Sequence, residues 1–522
     1  MKNLFFILLI LTQSAIARSY FTYEYEEFDQ IITELIQTKS DVDEQIIAFN
    51  KVLEEKGHLT GKILEDVNKF AEKRISLRQR AYEYFMKYAY LIKKRSKKIK
   101  SLEEHESKGL VNALAVAVTL FDVTNYTYIN FLGHRKLRML LNERDSSYKR
   151  AENTFKRSIK GVYSLRNRKY LKRAISIYKR FYLKNPEIYG DGDVTKADNI
   201  IKNSFIYSKY KNGSNFKELI KVTGARLKIS AKNQFDFLSF IGNSVVYYGS
   251  KLFGNIMGSF QKRRGKLFEN SKFILKVKRR LEPLDILLEK TPFRLTDNFI
   301  PGYWGHAAIY IGDQNDLRKL GIWNHDLVQK YRKEILSGKT IVEALRSNVQ
   351  INSIDHFTDI DDFAIIRLNK ELTNEEKAEH ILRALSHIGK LYDFSFDVET
   401  GETIVCSELH YRTYIDIDFN TSTILGRPTI SVDQVAEQAV ADMPFTPKLL
   451  YIDGKKVKDK VMQLVYDQKL STPLPADILH DSDTYDYPLD FHKQKLRLDL
   501  LDNGEFEDKL IDLGPAINMA SV

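Results

Sequence analysis

The sequence predicts an α+β protein with a helical domain over residues 18–280 and an α+β domain over residues 281–450. From about Tyr20 to Lys278, glycine and proline are sparse and apolar residues recur every three or four positions, which is typical of amphipathic helices packed as a bundle. From Pro283 onward, short apolar runs bounded by turn residues alternate with helical periods, which is typical of an α+β domain. A chain of 522 residues is also too long for one ordinary domain.

The formal net charge of +12 is distributed unevenly along the chain. Basic runs at 93–98 and 279–280 lie in the predicted helical domain, and acidic clusters at 355–362 and 477–490 lie after it. A basic half favours an anionic partner such as an anionic envelope surface, but solvated helix faces would show the same composition. Both interpretations stay open at this point.

The first seventeen residues have the pattern of a secretory signal peptide. Lys2 is followed by an apolar run at 4–11 that is too short to span a bilayer, and then by the small-x-small site Ala15-Ile16-Ala17. We expect cleavage after Ala17 and export to the periplasm or the extracellular space. Export and the lack of a recognisable motif argue against nucleic acid as a partner.

Within the helical domain, two segments raise the question of a membrane. The run 110–132 is the most apolar internal stretch, but it contains polar residues such as Asn112 and Asp122, which favours a buried bundle helix over a transmembrane span. Residues 236–260 have the composition of an interfacial helix, although the pattern is weak.

In the second domain the sequence predicts strands and then helices. The predicted strands cover 285–288, 307–312, 341–345, 349–351 and 363–368. A helical period returns at 381–388 and again after Cys406. Residues 451–522 form an acidic extension with several prolines, which we expect to wrap around the protein rather than fold alone.

Cys406 is the single cysteine of the chain. A strand-like approach, Ile404-Val405, precedes it, and the residues from Ser407 onward can continue as a helix. A thiol at a helix N-terminus lies at the positive end of the helix dipole and among free backbone N–H groups, which suits a nucleophile. Most lone cysteines are instead small buried apolar residues, so position alone leaves both roles open.

Two further polar residues occur where apolar ones are expected. His306 begins the apolar strand 307–312, where imidazole is useful if a neighbour needs a base. Glu343 is the one carboxylate within 340–345, and a strand there would pair beside the histidine strand, so its carboxylate can orient the imidazole. The alternatives are a hydrogen-bonded histidine at a strand end and an outward-facing glutamate.

Five segments occur in an order that resembles a known family. They are Leu284-Asp285-Ile286-Leu287-Leu288, the segment 305–312 around His306, Val342-Glu343-Ala344, Tyr392-Asp393-Phe394-Ser395-Phe396, and Cys406-Ser407-Glu408-Leu409. Together they resemble the circularly permuted papain-like hydrolases of the NlpC type, in the YiiX/YaeF-like branch, over about 281–440. The resemblance implies a Cys406–His306–Glu343 triad in a permuted papain-like α+β domain. Two features depart from the family pattern: the insertion 314–339, which could form a lid or an extra helix, and the long helical N-terminal region.

The resemblance implies an exported cysteine hydrolase that cleaves an amide, either a peptide or an N-acyl bond, in the cell envelope. Cell-wall peptide and lipid acyl groups are the two substrate classes, and the basic helical half would hold the enzyme against an anionic envelope surface. The alternatives are a lipid acyl hydrolase or acyltransferase of the same fold, or an envelope-binding protein without turnover. We expect no cofactor and no metal, because neither the acidic cluster 355–362 nor the pair His380 and His387 has a metal-binding spacing. Asp393 is expected to be a structural hydrogen-bonding residue near the cysteine loop.

Overall fold

A computed structural model describes residues 2–93, 99, 101–162, 164–184, 192–211, 263–293, 302–393, 396–424 and 427–470, and of residues 2–24 it describes only the backbone. The chain forms two compact units, residues 1–238 and 239–522. The protein as a whole mixes helices and sheet, and each unit is described by itself below.

The regular elements described in unit 1 (1–238) are helices, joined by turns and one β-bridge between Asp145 and Arg150. These helices are α1 (Lys2–Lys56), α2 (Gly61–Lys87), α3 (Ala89–Lys93), α4 (Glu104–Phe131), α5 (Arg135–Asn142), α6 (Thr154–Val162), α7 (Leu165–Phe181), α8 (Gly192–Asn203) and α9 (Phe205–Lys211). Polar side chains begin several of them: Thr60 accepts the backbone N–H of Ile63 at the start of α2, and Ser164 accepts that of Asn167 at the start of α7. The signal peptide predicted for residues 1–17 falls where no side chain is described.

Helix α4 is the central helix of unit 1. Helices α1, α2, α7 and α8 pack around it, and the apolar stripe of α1 that includes Ile31, Ile32 and Leu35 is fully buried. Among the described residues, α4 is the one helix long and apolar enough to cross a membrane by length and composition, but 83% of that apolar window is buried inside the protein. Such burial is typical of a helix in the core of a bundle. This is the interpretation that the polar residues of the segment favoured over a transmembrane span. The segment 236–260, considered above as an interfacial helix, lies outside the described residues.

Unit 2 (239–522) combines helices with an antiparallel sheet. Its described elements are α10 (Ser271–Arg280), β1 (Ile286–Lys290), β2 (His306–Tyr310), α11 (Gln314–Lys319), α12 (Asp326–Lys330), α13 (Arg332–Leu336), β3 (Lys339–Ala344), β4 (Val349–Ser353), β5 (Asp362–Leu368), α14 (Asn374–Ser386), β6 (Leu391–Tyr392), β7 (Thr403–Ile404), α15 (Cys406–Thr413), β8 (Ser422–Ile424), β9 (Arg427–Thr429), α16 (Val432–Ala436), β10 (Phe445–Ile452), β11 (Lys455–Lys456) and α17 (Met462–Leu470). All five predicted strands form, as β1 to β5, and the helices predicted at 381–388 and after Cys406 form as α14 and α15.

The main sheet has seven strands within the described residues, in the order β11-β10-β5-β1-β2-β3-β4. Every neighbouring pair is antiparallel. The central strands β1, β2 and β5 are almost entirely buried, which explains why their sequences are nearly continuous apolar runs rather than alternating ones.

The limits of unit 2 differ from the expected 281 and 450. Helix α10, which the sequence places in the helical domain, packs its Phe273 ring edge-on against Phe363 and Tyr451 at centroid distances of 5.2 and 4.8 Å. Strand β10 continues to Ile452, and α17 packs on it. The apolar periodicity of an amphipathic helix is the same whichever hydrophobic core it packs against. Periodicity alone therefore cannot assign α10 to one unit. Residues 471–522 lie outside the described residues.

The acidic cluster 355–362 binds the basic segment that precedes α10. Asp361 accepts the Nη1 of Arg263 at 2.8 Å and the backbone N–H of Lys266 at 2.9 Å. Asp359 accepts the backbone N–H of Gly265 at 2.6 Å and the Nη1 of Arg264 at 2.9 Å. Part of the charge asymmetry along the chain is therefore used inside unit 2, where these ion pairs tie segment 263–266 to the loop before β5.

Candidate active site

Cys406 is the first residue of α15 and is 6% exposed. The short parallel pair β6–β7 leads the chain into this helix, and the Glu408 carboxyl group accepts the backbone N–H of Val405 at 3.2 Å. Ser407 donates its hydroxyl to the carbonyl oxygen of Ile430 at 2.6 Å, which anchors the first turn. The sulfur thus lies at a helix N-terminus with fixed backbone, close to amide N–H groups that have no partner within the helix.

His306 begins β2, and its side chain is 14% exposed. Its imidazole forms one hydrogen bond with Cys406 and a second, through Nε2, with Glu343 Oε2 at 2.9 Å. Because Nε2 is directed to the carboxylate, Nδ1 is the ring nitrogen left for the sulfur. The Phe357 ring packs against the imidazole at a centroid distance of 5.9 Å and restricts its rotation.

Glu343 lies on β3 and is 2% exposed. Strand β3 pairs with β2 in a register that sets Glu343 opposite Ala308, so its side chain is on the same face as that of His306, two residues earlier. The second carboxylate oxygen accepts the amide of Asn352 at 2.8 Å and lies 3.3 Å from Nδ1 of His356. The glutamate is therefore held inward by three side chains rather than facing solvent.

The charges of the site favour an imidazolium. Burial lowers the pKa of His306, but the charge of Cys406, the hydrogen bonds to Cys406 and Glu343, and the nearby Glu289 outweigh it and raise that pKa well above its ordinary value. Burial likewise raises the pKa of Glu343, but its hydrogen bonds to His306, His356 and Asn352 lower it to about 2. The arrangement stabilises a row of alternating charges: sulfur, imidazolium, carboxylate.

The loop before β2 is held by a partly buried aspartate, Asp433. Asp433 accepts the backbone N–H groups of Tyr303 and Trp304 at 2.6 and 2.7 Å. Gly302 has φ +110°, and a Cβ built there would lie 2.2 Å from the carboxylate of Asp433. Only glycine therefore allows this close approach, which fixes the backbone just before His306.

The structure also brings residues to the site that sequence reasoning did not single out as site residues. Burial raises the pKa of Tyr392 well above its ordinary value, and among the nearby charges Cys406 raises it most, while Arg346 opposes the shift. Glu289 lies opposite His306 in the β1–β2 pair and is 8% exposed. In the sequence, the one indication that Glu289 belongs to the site is that it is a carboxylate near the end of an otherwise apolar strand. Asn352 and His356 had no comparable signal.

Other residues considered from sequence have structural contacts. Asp393 accepts the backbone N–H of Asp397 at 2.8 Å and donates its own N–H to Ile404, as expected of a residue that holds the cysteine loop. His380 bonds through Nδ1 to the carbonyl oxygen of Glu376 at 2.7 Å. The insertion 314–339 forms helices α11, α12 and α13, of which α12 packs on α14 and α13 on β3.

Comparison with known protein families matches one of them. Residues 280–485 match the family described as permuted papain-like amidase enzyme, YaeF/YiiX, C92 family. No curated protein and no solved structure matches the chain. The matched range covers the main sheet and α15, and continues beyond the described residues. The part of the chain that carries Cys406, His306 and Glu343 is therefore a hydrolase domain of the permuted papain-like amidase family, YaeF/YiiX.

Proposed function

We propose that the protein is an exported cysteine amidase that cleaves a peptide or N-acyl amide bond in the cell envelope through a Cys406–His306–Glu343 triad. The observation that carries this proposal is that the His306 imidazole is hydrogen-bonded on one side to Cys406 and on the other to Glu343. The three residues lie on three separate elements, so their alignment does not follow from the geometry of any single helix or strand. Nucleophile, base and orienting carboxylate in a row are an arrangement that catalyses acyl transfer.

In the proposed reaction, the sulfur of Cys406 attacks the carbonyl carbon of the amide and forms a tetrahedral adduct. The imidazolium of His306 then donates its proton to the departing nitrogen, the C–N bond breaks, and a thioester remains on Cys406. Water, deprotonated by the now neutral His306, attacks the thioester and releases a carboxylic acid and the free thiol. Glu343 stays ionised throughout and stabilises each imidazolium state.

The negative oxygen of the tetrahedral adduct needs hydrogen-bond donors. The backbone N–H of Cys406 is one donor in this proposal, because it belongs to the first turn of α15. The phenol of Tyr392 is the second, since its raised pKa keeps the hydroxyl protonated while it lies near the sulfur. Both are positioned by the parallel pair β6–β7, in which Tyr392 lies opposite Ile404, two residues before Cys406.

Export and envelope binding belong to the same proposal. Residues 1–17 have the pattern of a signal peptide, and the net charge of +12 would favour an anionic surface. The all-α N-terminal domain would serve as the targeting module. Within the envelope, amide substrates are the proposed class, and acyl esters of lipids are the alternative that the same chemistry permits.

The decisive experiment traps the acyl group on Cys406. The purified mature chain is incubated with a panel of wall peptides, N-acyl amino acids and lipid esters, quenched in acid, and digested for mass spectrometry. We expect a thioester mass on the peptide that contains Cys406, absent from Cys406→Ala, together with release of an amine. An adduct formed from esters alone would replace the amidase proposal by a lipid acyl hydrolase. Absence of any adduct or turnover would contradict catalysis.

A further inference from the structure

The helical unit contains a cavity that the amidase chemistry does not use. It lies between α2, α4 and α6, has an enclosed volume of about 70 Å³, opens to solvent, and is lined by aromatic residues such as Phe70, Phe131 and Phe155. The enclosed part is smaller than an ordinary small-molecule site, about 300–1,000 Å³, so a ligand would lie partly in the open mouth. All its lining residues belong to unit 1, and none is a cysteine, histidine or carboxylate.

Two arginines on one helix face the cavity. Arg74 and Arg78 are one turn apart on α2 and both line it. Arg78 donates its Nη1 to the hydroxyl of Ser158 on α6 at 2.8 Å, which fixes its guanidinium at the wall. A Cβ built at Gly161 would lie 2.5 Å from the Nη2 of Arg78, so α6 approaches this guanidinium as closely as glycine permits.

Arg74 is the unusual member of the pair. Its guanidinium makes no hydrogen bond within the described residues, and it is only partly exposed. Burial lowers its pKa to about 10, attraction to Asp41 opposes this shift, and repulsion from Arg78 adds to it. Asp41 is itself paired with Lys73 at 3.1 Å. A half-buried guanidinium with five unused donors, next to a second positive charge, would be stabilised by an anion between the two.

The apolar part of the cavity indicates what that anion carries. Phe70, Phe131 and Phe155 form one cluster, with ring centroids 6.1 Å apart for Phe70 and Phe131 and 5.9 Å apart for Phe131 and Phe155. Ile75 and Ile159 extend the apolar wall. A small hydrophilic anion would leave this wall in contact with water, whereas a hydrocarbon chain would cover it.

We propose that this cavity binds a single-chain amphiphile with a carboxylate head, with the head between Arg74 and Arg78 and the chain against the three phenylalanines. A guanidinium binds a carboxylate through two parallel N–H donors, which gives direction as well as charge complementarity. The site is independent of the triad: it needs neither Cys406 nor export, and neither proposal fails with the other.

Binding can be measured by calorimetry on the full mature chain with decanoate, decanol and acetate as probes. We expect saturable binding of decanoate, at least tenfold weaker binding of decanol, and no competition by acetate at equal concentration. Arg74→Gln should weaken decanoate binding about ten- to a hundredfold, because one charged hydrogen-bonding pair is lost. Arg74→Lys keeps the charge and should weaken it less.

Arg80→Gln is the matched control, because Arg80 lies on the same helix but pairs with Glu34 outside the cavity. It should leave decanoate affinity unchanged, and thermal melts should show all variants folded. Equal binding of decanol and decanoate would overturn the anion site. Equal affinity of wild type and a folded Arg74→Gln would overturn the role of Arg74 and with it the proposal. Competition by acetate at equal concentration would reduce the site to general anion binding, which also contradicts it.

Discussion

The Nε2 atom of His306 lies 2.9 Å from the Oε2 atom of Glu343, across the pair of strands β2 and β3. The two residues are 37 positions apart, and the intervening chain forms the helices α11, α12 and α13. The long insertion therefore leaves the pairing of the two strands intact. This contact supports an orienting role for Glu343 over an outward-facing one.

The proposed role of Glu343 predicts a specific change in the pH dependence of turnover. Glu343→Gln keeps a hydrogen-bonding group but removes the charge that stabilises the imidazolium, so the pKa of His306 should fall. We expect kcat/KM to decrease by more than tenfold but by less than the roughly 10⁴-fold seen when the serine triad loses its carboxylate. The basic limb of the pH profile should move to lower pH. A basic limb at the wild-type position would show that Glu343 does not act on His306.

The low pKa of Glu343 predicts a loss of stability in acid. A carboxyl group with a folded pKa of about 2 and an ordinary value of 4.5 contributes stability above about pH 4.5, and this is lost as the pH falls towards 2. Urea unfolding between pH 2 and 7 should show wild type losing on the order of 3 kcal/mol more than Glu343→Gln over this range. Glu371→Gln, at an exposed position, is the control and should follow wild type. Parallel curves for wild type and Glu343→Gln would contradict the inward-held carboxylate.

The contact between His306 and Cys406 predicts the reactivity of the thiol. Because the imidazolium lies beside the sulfur, Cys406 should react with iodoacetamide faster than free cysteine at mildly acidic pH. His306→Ala removes that positive charge and should slow alkylation, whereas His105→Ala, at an exposed position of unit 1, should have no effect. Equal alkylation rates in all three proteins would mean that His306 and Cys406 are not neighbours in solution.

Tyr392 tests the proposed stabilisation of the tetrahedral adduct. Tyr392→Phe removes one donor, and loss of such a donor costs about 10²–10³ in kcat. The alkylation rate of Cys406 should change far less than kcat, since alkylation forms no oxyanion. Tyr331→Phe, in the insertion, is the matched control. If Tyr392→Phe lowers alkylation and kcat equally, the phenol acts on the thiol rather than on the adduct.

Substitution of Gly302 tests whether the loop that precedes His306 positions this residue. Gly302→Ala introduces a Cβ into the carboxylate of Asp433 and forces a residue with φ +110° into strain, so both stability and turnover should fall, with a stability loss of about 1–3 kcal/mol. Gly321 also has a positive φ, +75°, but open space around its Cβ position. Gly321→Ala should therefore lower stability by about 1 kcal/mol at most and leave turnover unchanged. Equal effects of the two substitutions would show that the Asp433 contact does not position His306.

The residues of the proposed triad can be recognised from the sequence. Cys406 follows a strand-like dipeptide and precedes a helical period, and His306 and Glu343 are the polar exceptions in two apolar runs. Strand alternation and helix periodicity depend on residues a few positions apart, so they can be recognised from the sequence alone. For the same reason β1 to β5 and α15 were predicted in the correct order.

The surroundings of these residues depended on the tertiary structure. Asn352 and His356 reach Glu343 only because β4 folds back on β3, and Asp433 reaches the loop before His306 from about 130 positions away. None of these contacts produces a periodic pattern in the sequence, because the residues around a side chain do not identify the distant element that it will contact.

The cavity of unit 1 shows the same division. The spacing of Arg74 and Arg78 on one face of α2 can be read from the sequence, since residues four apart lie side by side on a helix. That this face meets Phe131 on α4 and Phe155 on α6 is decided by how the helices pack. Short-range backbone geometry determined the elements and the polar residues on them, and long-range packing decided which of those residues came within reach of one another.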